Sequence, residues 1–292
     1  MNTFTKALIT TFIFLSLGFL LLEIDLFGYG ITFFVFLPFT LGYILGNSFV
    51  KKFSLGGIIT SIILFLGLLY ANSLEGMVCI LMALPLVIIA LSIGFIIRSA
   101  FAKNKKPNVL KTSVLPIGIL LISGLSEQKL ANSQTEIISI STSISLPYSN
   151  MQVYETIKSV DTLDTEKPFL MQLDLPIPHK CILENEKVGG IRTCYFEGGK
   201  IIEKVTALKK GKLLQMDVID YQLKGRKWLG FKEAIYTFEA INEHECKMTR
   251  ITTYTSKLHP RFYWAPLEKM GIEQEHEYVF NNLVKDLNSR FK

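Results

Sequence analysis

The chain has 292 residues, of which 49% are hydrophobic and 19% charged, and its formal net charge is +6. The charge is unevenly placed: residues 1–126 hold eight Lys or Arg against three Asp or Glu, whereas residues 127–292 hold 23 against 22. A nucleic-acid-binding domain carries a basic surplus or a basic stripe on its folded part. The nearly neutral second part excludes nucleic acid as an expected partner.

Residues 1–126 consist mainly of long apolar stretches. A helix crosses the bilayer core with about 20 apolar residues, and about 17 to 25 is the usual range. Four stretches are predicted to be spans, and a fifth is shorter and contains Lys111; they are residues 7–22, 31–50, 55–71, 77–97 and 109–125. The sequence therefore predicts a transmembrane helical domain of four or five spans at residues 1–126.

The breaks between these stretches alternate in charge. Short cytoplasmic loops retain Lys and Arg, so the positive breaks are assigned to the cytoplasm together with the N-terminus. The acidic breaks contain Glu23, Asp25 and Glu75, and the basic breaks contain Lys51, Lys52, Arg98, Lys103, Lys105, Lys106 and Lys111. The polar domain is then extracytoplasmic if residues 109–125 cross the membrane, and cytoplasmic if they lie on its surface.

After a linker at residues 127–135, the pattern changes to one typical of strands and helices. Residues 138–146 alternate between apolar residues or Thr and serines, which predicts a half-buried strand. Ser149 and Gln152 form a capping-box pattern that predicts a short helix to about residue 159. Six antiparallel strands and one long helix follow, at residues 180–184, 190–196, 200–208, 213–222, 231–241, 245–255 and 266–290.

This order of elements predicts an α+β domain at residues 136–292, in which a curved antiparallel sheet wraps the long C-terminal helix. Three motifs carry a resemblance to a known family, in this order: Gly189-Gly190-Ile191-Arg192-Thr193-Cys194-Tyr195-Phe196-Glu197-Gly198-Gly199, Ile202-Glu203-Lys204-Val205, and the helical residues His276 and 278–283. Residues 135–290 thus resemble the START-like superfamily, also called SRPBCC or polyketide cyclase/dehydrase-like, with its helix-grip fold. The resemblance implies a cavity between sheet and helix that takes apolar or amphipathic molecules, and it carries over no catalytic residues.

Candidate ligand-binding residues on the predicted strands are Arg192, Glu203, Tyr236, Arg250 and Tyr254. Arg192 either binds a carboxylate or phosphate headgroup or forms a cross-strand ion pair with Glu203, and the ion pair is favoured. The other three residues either donate hydrogen bonds to a ligand or cover the outer face of the sheet.

Trp264 is the sixth candidate, in an aromatic segment at residues 259–266 that also holds Arg261. Amphipathic aromatic rings favour the headgroup level of a membrane. This segment is therefore interpreted either as a membrane-interface contact beside the cavity mouth or as a cluster that closes one end of the domain core.

Histidines and cysteines do not form a recognisable metal or redox motif. His276 lies among Glu273, Glu275 and Glu277 without paired-His spacing, and a solvated acidic helix turn is favoured over a metal or acid–base site. Cys181, Cys194 and Cys246 lack C-x-x-C spacing, and their odd number is a weak indication of a reducing compartment, outweighed by the loop charges. No metal and no cofactor are expected.

Three functions are open. The first is a membrane-tethered module that binds a hydrophobic or amphipathic small molecule, such as a lipid, without turnover. The second is a cyclase- or dehydratase-type enzyme that uses Glu203, Tyr236 or Arg192 as acid–base or orienting groups, and the third is an accessory protein that binds a partner chain or a second copy of itself. Each has the lipid bilayer as a partner, because an integral protein of a bacterial inner or plasma membrane is expected.

Overall fold

A computed structural model describes residues 2–46, 52–102, 109–131, 136–223 and 228–291. The chain divides into two compact units: the first contains Met1–Glu75, Cys79–Thr135 and Lys257–Trp264, and the second contains Gly76–Val78, Glu136–Ser256 and Ala265–Lys292. Four of the basic residues used to predict the topology lie outside the described residues: Lys51, Lys103, Lys105 and Lys106. The domain boundary drawn after residue 126 stays a prediction.

The first unit is helical. Its helices are α1 (Thr3–Glu23), α2 (Leu37–Leu45), α3 (Lys52–Ala71), α4 (Met77–Ala102) and α5 (Val109–Ala131), and a π-helical turn at Thr32–Phe36 leads directly into α2. Pro38 lies at the start of α2. Because proline lacks a backbone N–H and its ring collides with the carbonyl four residues earlier, a wider turn before it relieves the clash.

Two helices of this unit have the length and composition to cross a membrane, Thr3–Glu23 and Met77–Ala100. The second and third predicted spans correspond to shorter apolar helices, Thr32–Leu45 and Leu55–Ala71, so the number of spans stays a prediction. Arg98 lies inside α4 rather than in the loop expected after residue 97. It is buried, and its guanidinium carbon lies 5.5 Å from the ring centroid of Tyr43.

The second unit contains a seven-stranded antiparallel sheet in the order β1-β7-β6-β5-β4-β3-β2. Its strands are β1 (Glu136–Leu146), β2 (Pro178–Leu183), β3 (Ile191–Phe196), β4 (Gly199–Lys209), β5 (Leu213–Gln222), β6 (Leu229–Asn242) and β7 (Glu245–Ser256). Helices α6 (Asn150–Ile157) and α7 (Phe169–Gln172) separate β1 from β2, and α8 (Arg261–Phe291) follows β7. The predicted helix-grip arrangement, a curled antiparallel sheet with a long C-terminal helix, is confirmed.

Alternation along β1 separates the two faces of the sheet as the sequence predicts. Leu146 and Ile140 are buried on the inner face. Ser139 and Ser143 instead exchange hydrogen bonds with threonine hydroxyls of β7, at 3.0 and 2.8 Å. A period-two pattern therefore directs one face of β1 toward the core and leaves the serine face to cross-strand polar pairs.

The main core lies between the inner face of the sheet and helices α6 and α8. The capping box predicted for α6 is present: the Ser149 backbone N–H donates to the Gln152 side chain at 2.9 Å, and the Gln152 N–H donates to the Ser149 hydroxyl at 3.3 Å. The apolar faces of both helices meet the sheet in one cluster, which includes Val153, Tyr154, Ile157, Val279, Leu283, Leu287, Leu214, Met216, Phe238 and Met248. Burial of each large apolar side chain contributes about 1.5–3 kcal/mol.

Candidate functional site

Five of the six predicted site residues lie on the inner face of the sheet in the second unit. Arg192, Glu203, Tyr236, Arg250 and Tyr254 are all buried. The interpretation that Tyr236, Arg250 and Tyr254 cover the outer face is therefore wrong. Their strands alternate, and these positions share the register of the inward apolar residues Met248 and Phe238.

Arg192 is held by protein groups alone. Its Nη1 donates to Glu203 Oε2 at 2.9 Å, and both side chains are at most 8% exposed. Its Nε donates to the Lys158 carbonyl at 3.2 Å, and its Nη2 to the Ile157 carbonyl at 3.5 Å. These carbonyls lie at the C-terminus of α6, where unsatisfied carbonyl oxygens attract a cation.

The cross-strand ion pair favoured from the sequence is thus present, since Arg192 and Glu203 are direct partners in the β3–β4 register. The carboxylate of Glu203 is occupied by this guanidinium. A carboxylate held in that way is poorly suited to take a proton from a substrate, so the geometry does not favour Glu203 as a general base.

Tyr236 lies next to two guanidinium groups. The Arg192 and Arg250 guanidinium carbons are 5.6 and 5.5 Å from the centroid of its ring. Tyr236 and Arg250 are also direct cross-strand partners. Cations within about 6 Å of an aromatic centroid are attracted by the electron-rich ring face, and this attraction offsets part of the cost of burying both charges.

Arg250 pairs with α8 but is only partly satisfied. Its Nη2 donates to Glu275 Oε1 at 3.0 Å and forms an ion pair with Glu275 Oε2 at 2.8 Å. Its Nε and Nη1 are buried and have no hydrogen-bond partner among the residues that the structure describes. This side chain therefore differs from Arg192, all three of whose nitrogens donate to protein oxygens.

His276 is the centre of a buried hydrogen-bonded group that the sequence analysis misjudged. Its Nδ1 lies 2.6 Å from the Thr142 hydroxyl and its Nε2 lies 2.7 Å from the Thr252 hydroxyl. The ring is 0% exposed, so the expected solvated helix turn is wrong. Burial, with a further contribution from the Arg250 charge, lowers the pKa of His276 to about 2, which keeps the imidazole neutral.

A second polar group lies toward the C-terminal end of β7. The hydroxyls of Tyr254 and Ser256 donate to the two oxygens of Glu268, at 3.1 and 2.6 Å. All three residues are buried. The inner face of β7 therefore changes along its length, from Cys246 and Met248 to hydrogen-bonded polar groups.

Trp264, the sixth candidate, belongs to the first unit. Its ring centroid is 4.8 Å from that of Phe34, and its indole N–H donates to the His259 carbonyl at 3.2 Å. This ring contact lies within the helical unit, and closure of the sheet-domain core by Trp264 stays a prediction. A membrane-interface role stays a prediction.

Two of the four cysteines form a disulfide that the sequence analysis did not predict. Cys181 and Cys194 are opposite each other on β2 and β3 and form a disulfide, whereas Cys79 and Cys246 are not disulfide-bonded. The odd cysteine count therefore does not indicate a set of reduced thiols. Among the residues that the structure describes, no group of three or more His, Cys, Asp or Glu is arranged to hold a metal ion.

Comparisons with known proteins give a likeness in fold. No protein-family model matches the chain, and no curated protein matches it. A START superfamily protein from Mycobacterium smegmatis matches at 10% identity and a TM-score of 0.39, covering 52% of this chain and 97% of that one. The Zhui aromatase/cyclase of a Streptomyces species matches at 10% identity and a TM-score of 0.38, covering 54% and 97%.

Norcoclaurine synthase from Thalictrum flavum, solved with dopamine and hydroxybenzaldehyde, matches at 17% identity and a TM-score of 0.37, covering 56% of this chain and 93% of that one. The C-terminal half of the chain thus matches START-like structures, as the sequence motifs predict. At these identities the likeness concerns the fold alone.

Proposed function

We propose that the chain is a membrane-tethered module that binds a hydrophobic or amphipathic small molecule between the sheet and α8. The observation that carries this proposal is the division of the buried inner face into an apolar end and a polar end. Leu214, Phe238 and Met248 belong to the apolar end. Arg250 and His276 begin the polar end. An amphipathic molecule has the same division, so one interior can solvate both of its parts.

Membrane tethering is supported by the surfaces of α1 and α4. Both helices are long and apolar, and large side chains on them remain exposed, among them Ile13 at 60% and Ile96 at 62%. Contiguous exposed apolar surface on a folded unit is typical of membrane or protein contacts. A tether raises the local concentration of any ligand that comes from the bilayer.

The Cys181–Cys194 disulfide supports an extracytoplasmic position for the sheet domain, because disulfides persist in oxidising compartments. This position requires that α5, which begins at Val109 and is 23 residues long, crosses the bilayer. A C-terminal reporter fusion that is active only on one side of the membrane tests it. Activity confined to the cytoplasm would contradict it.

Native mass spectrometry of the full chain, extracted from membranes in a mild detergent, tests ligand binding. We expect a population that carries one apolar molecule per chain in addition to detergent. The variant M216W fills the interior from β5 and should lose this population, because Met216 is fully buried. The matched variant I219W, on the exposed face of the same strand, should keep it. Equal occupancy in both variants, or none in the wild type, would count against the proposal.

A further inference from the structure

The unpaired N–H groups of the Arg250 guanidinium indicate which chemical group a ligand would present to it. Arginine has five N–H donors, one on Nε and two on each Nη. Nη2 contacts Glu275, and the N–H groups of Nε and Nη1 are buried with no acceptor in the described part of the chain. A buried donor without a partner costs about 1–3 kcal/mol, and more when it is charged. An oxygen atom that accepts hydrogen bonds from Nε and Nη1 would therefore remove this cost.

The position of Arg250 indicates how such an oxygen would be presented. The neighbouring inner-face position on β7 is Met248, in the apolar cluster, and on the other side is Thr252, which bonds to His276. Tyr236 lies beside the guanidinium on β6. The free N–H groups thus lie where the apolar end of the interior meets the polar end, so the acceptor belongs at the end of an apolar group.

The charges around this position decide whether the acceptor is an anion. Arg192 is neutralised by Glu203, and Arg250 by Glu275. The imidazole of His276 is held between two hydroxyls. The buried positive charges are therefore already matched by carboxylates. Burial of an anion without a surplus of positive charge costs several kcal/mol of desolvation, whereas burial of an uncharged oxygen that accepts a hydrogen bond costs much less.

We propose that Arg250 binds the uncharged oxygen of the ligand through Nε and Nη1, so that the ligand class is an apolar molecule ending in a ketone, ester, amide or alcohol. This inference rests on the proposed binding function and names the ligand class for the same site. Arg192 has no comparable role, because its three nitrogens already donate to Glu203 and to two carbonyls of α6.

The test compares probes that differ only in their polar end: 2-undecanone, undecane and undecanoate. Each is titrated into the full chain in the same detergent, and occupancy is measured by native mass spectrometry. R250K keeps a positive charge toward Glu275 but loses the planar set of donors. We expect it to bind 2-undecanone about tenfold or more weakly than the wild type does, and to bind undecane equally well. Partitioning of each probe into the detergent is the same for both proteins and cancels.

R192K is the matched control, since it changes the other buried guanidinium beside Tyr236. Its ratio of ketone to hydrocarbon binding should equal that of the wild type. If R250K does not fold, the side-chain Nε–Hε resonance of Arg250 in the wild-type protein gives the same answer: 2-undecanone should shift it and undecane should not.

The outcomes separate this inference from the proposed function. If undecane and 2-undecanone bind equally well to the wild type and to R250K, the interior takes apolar molecules but Arg250 does not select them, and the inference fails alone. If undecanoate binds more tightly than the ketone in an Arg250-dependent way, the uncharged class is wrong. If none of the probes binds, the proposed binding function fails as well.

Discussion

Replacement of Arg192 by Met should strongly destabilise the sheet domain. The change removes the 2.9 Å ion pair with Glu203 and the donors to two carbonyls at the end of α6. It leaves a carboxylate that is 8% exposed without a countercharge. Removal of one partner from a buried pair costs about 3–5 kcal/mol, because the other charge stays desolvated.

Urea unfolding of the full chain in detergent micelles, followed by pulse proteolysis of the sheet domain, measures this loss. With an m-value of about 2 kcal/mol per molar urea, the midpoint should fall by about 1.5–2.5 M. The control is E273Q, which breaks the exposed Lys269–Glu273 pair on α8, where the side chains are 59% and 42% exposed. Exposed pairs contribute about 0–1 kcal/mol, so its midpoint should shift by less than about 0.5 M.

The double variant R192M/E203M distinguishes the effect of an unpaired buried charge from the effect of the lost side-chain contacts. Apolar replacement of both partners leaves no buried charge, so its midpoint should lie well above that of R192M alone. A midpoint for R192M within the range of E273Q would refute the reasoning, because the pair would then be solvated rather than buried. A double variant no more stable than R192M would show that the contacts with α6, not the charge, dominate.

Three further predictions concern stability. The pKa of His276 is lowered to about 2 in the folded state, against about 6.5 in the unfolded state. As the pH falls from 7 to 5, the unfolded chain therefore takes up a proton at His276 and the folded chain does not, which lowers the free energy of unfolding. In urea titrations at pH 7 and pH 5, this fall should be about 2 kcal/mol larger in the wild type than in H276Q. Alkylation under denaturing, non-reducing conditions should label two of the four cysteines, because the other two form the disulfide. The variant C181S opens this disulfide, whose sequence separation is 13, and should lose about 3 kcal/mol of stability. S149A removes the capping hydroxyl of α6 and should cost about 1 kcal/mol in the same urea assay, whereas an unchanged midpoint would mean that the cap is not used.

The strands of the sheet were predictable because their sequence signals are local. The serine alternation in β1 and the turn residues between strands are read over a few positions, and β5 begins and ends at the predicted residues, Leu213 and Gln222. The ion pair between Arg192 and Glu203 joins adjacent strands connected by a tight turn at Glu197-Gly198, which determines which residues of β3 and β4 face each other.

The polar interior was not predictable in the same way, because its members meet only through the fold. His276 was judged by its acidic neighbours in the sequence, although its spacing to Val279 and Leu283 places it on the buried stripe of α8. That spacing was the signal available. The partial satisfaction of Arg250 depends on Glu275 of α8, which no local pattern links to β7.

The helical part and the cysteines show the same limit. Charge was used to end the fourth span before Arg98, but a long side chain can pack its charge against a neighbouring ring, here Tyr43, and the helix continues. The Cys181–Cys194 disulfide joins neighbouring strands whose pairing had been predicted, yet the order of β2 and β3 alone does not specify which residues are opposite.

The most direct test of the central claim is photolabelling of the full chain in lipid vesicles with a diazirine-bearing hexadecanol. If the sheet domain binds an amphipathic ligand, labelled peptides should come from the inner face of the sheet, around Met216 and Met248, in addition to peptides from α1 and α4. Excess unlabelled hexadecanol should remove the sheet labels at concentrations that leave the helix labels unchanged, because only the interior site saturates. Labels confined to the helices of the first unit would contradict the claim that the sheet domain binds an amphipathic ligand.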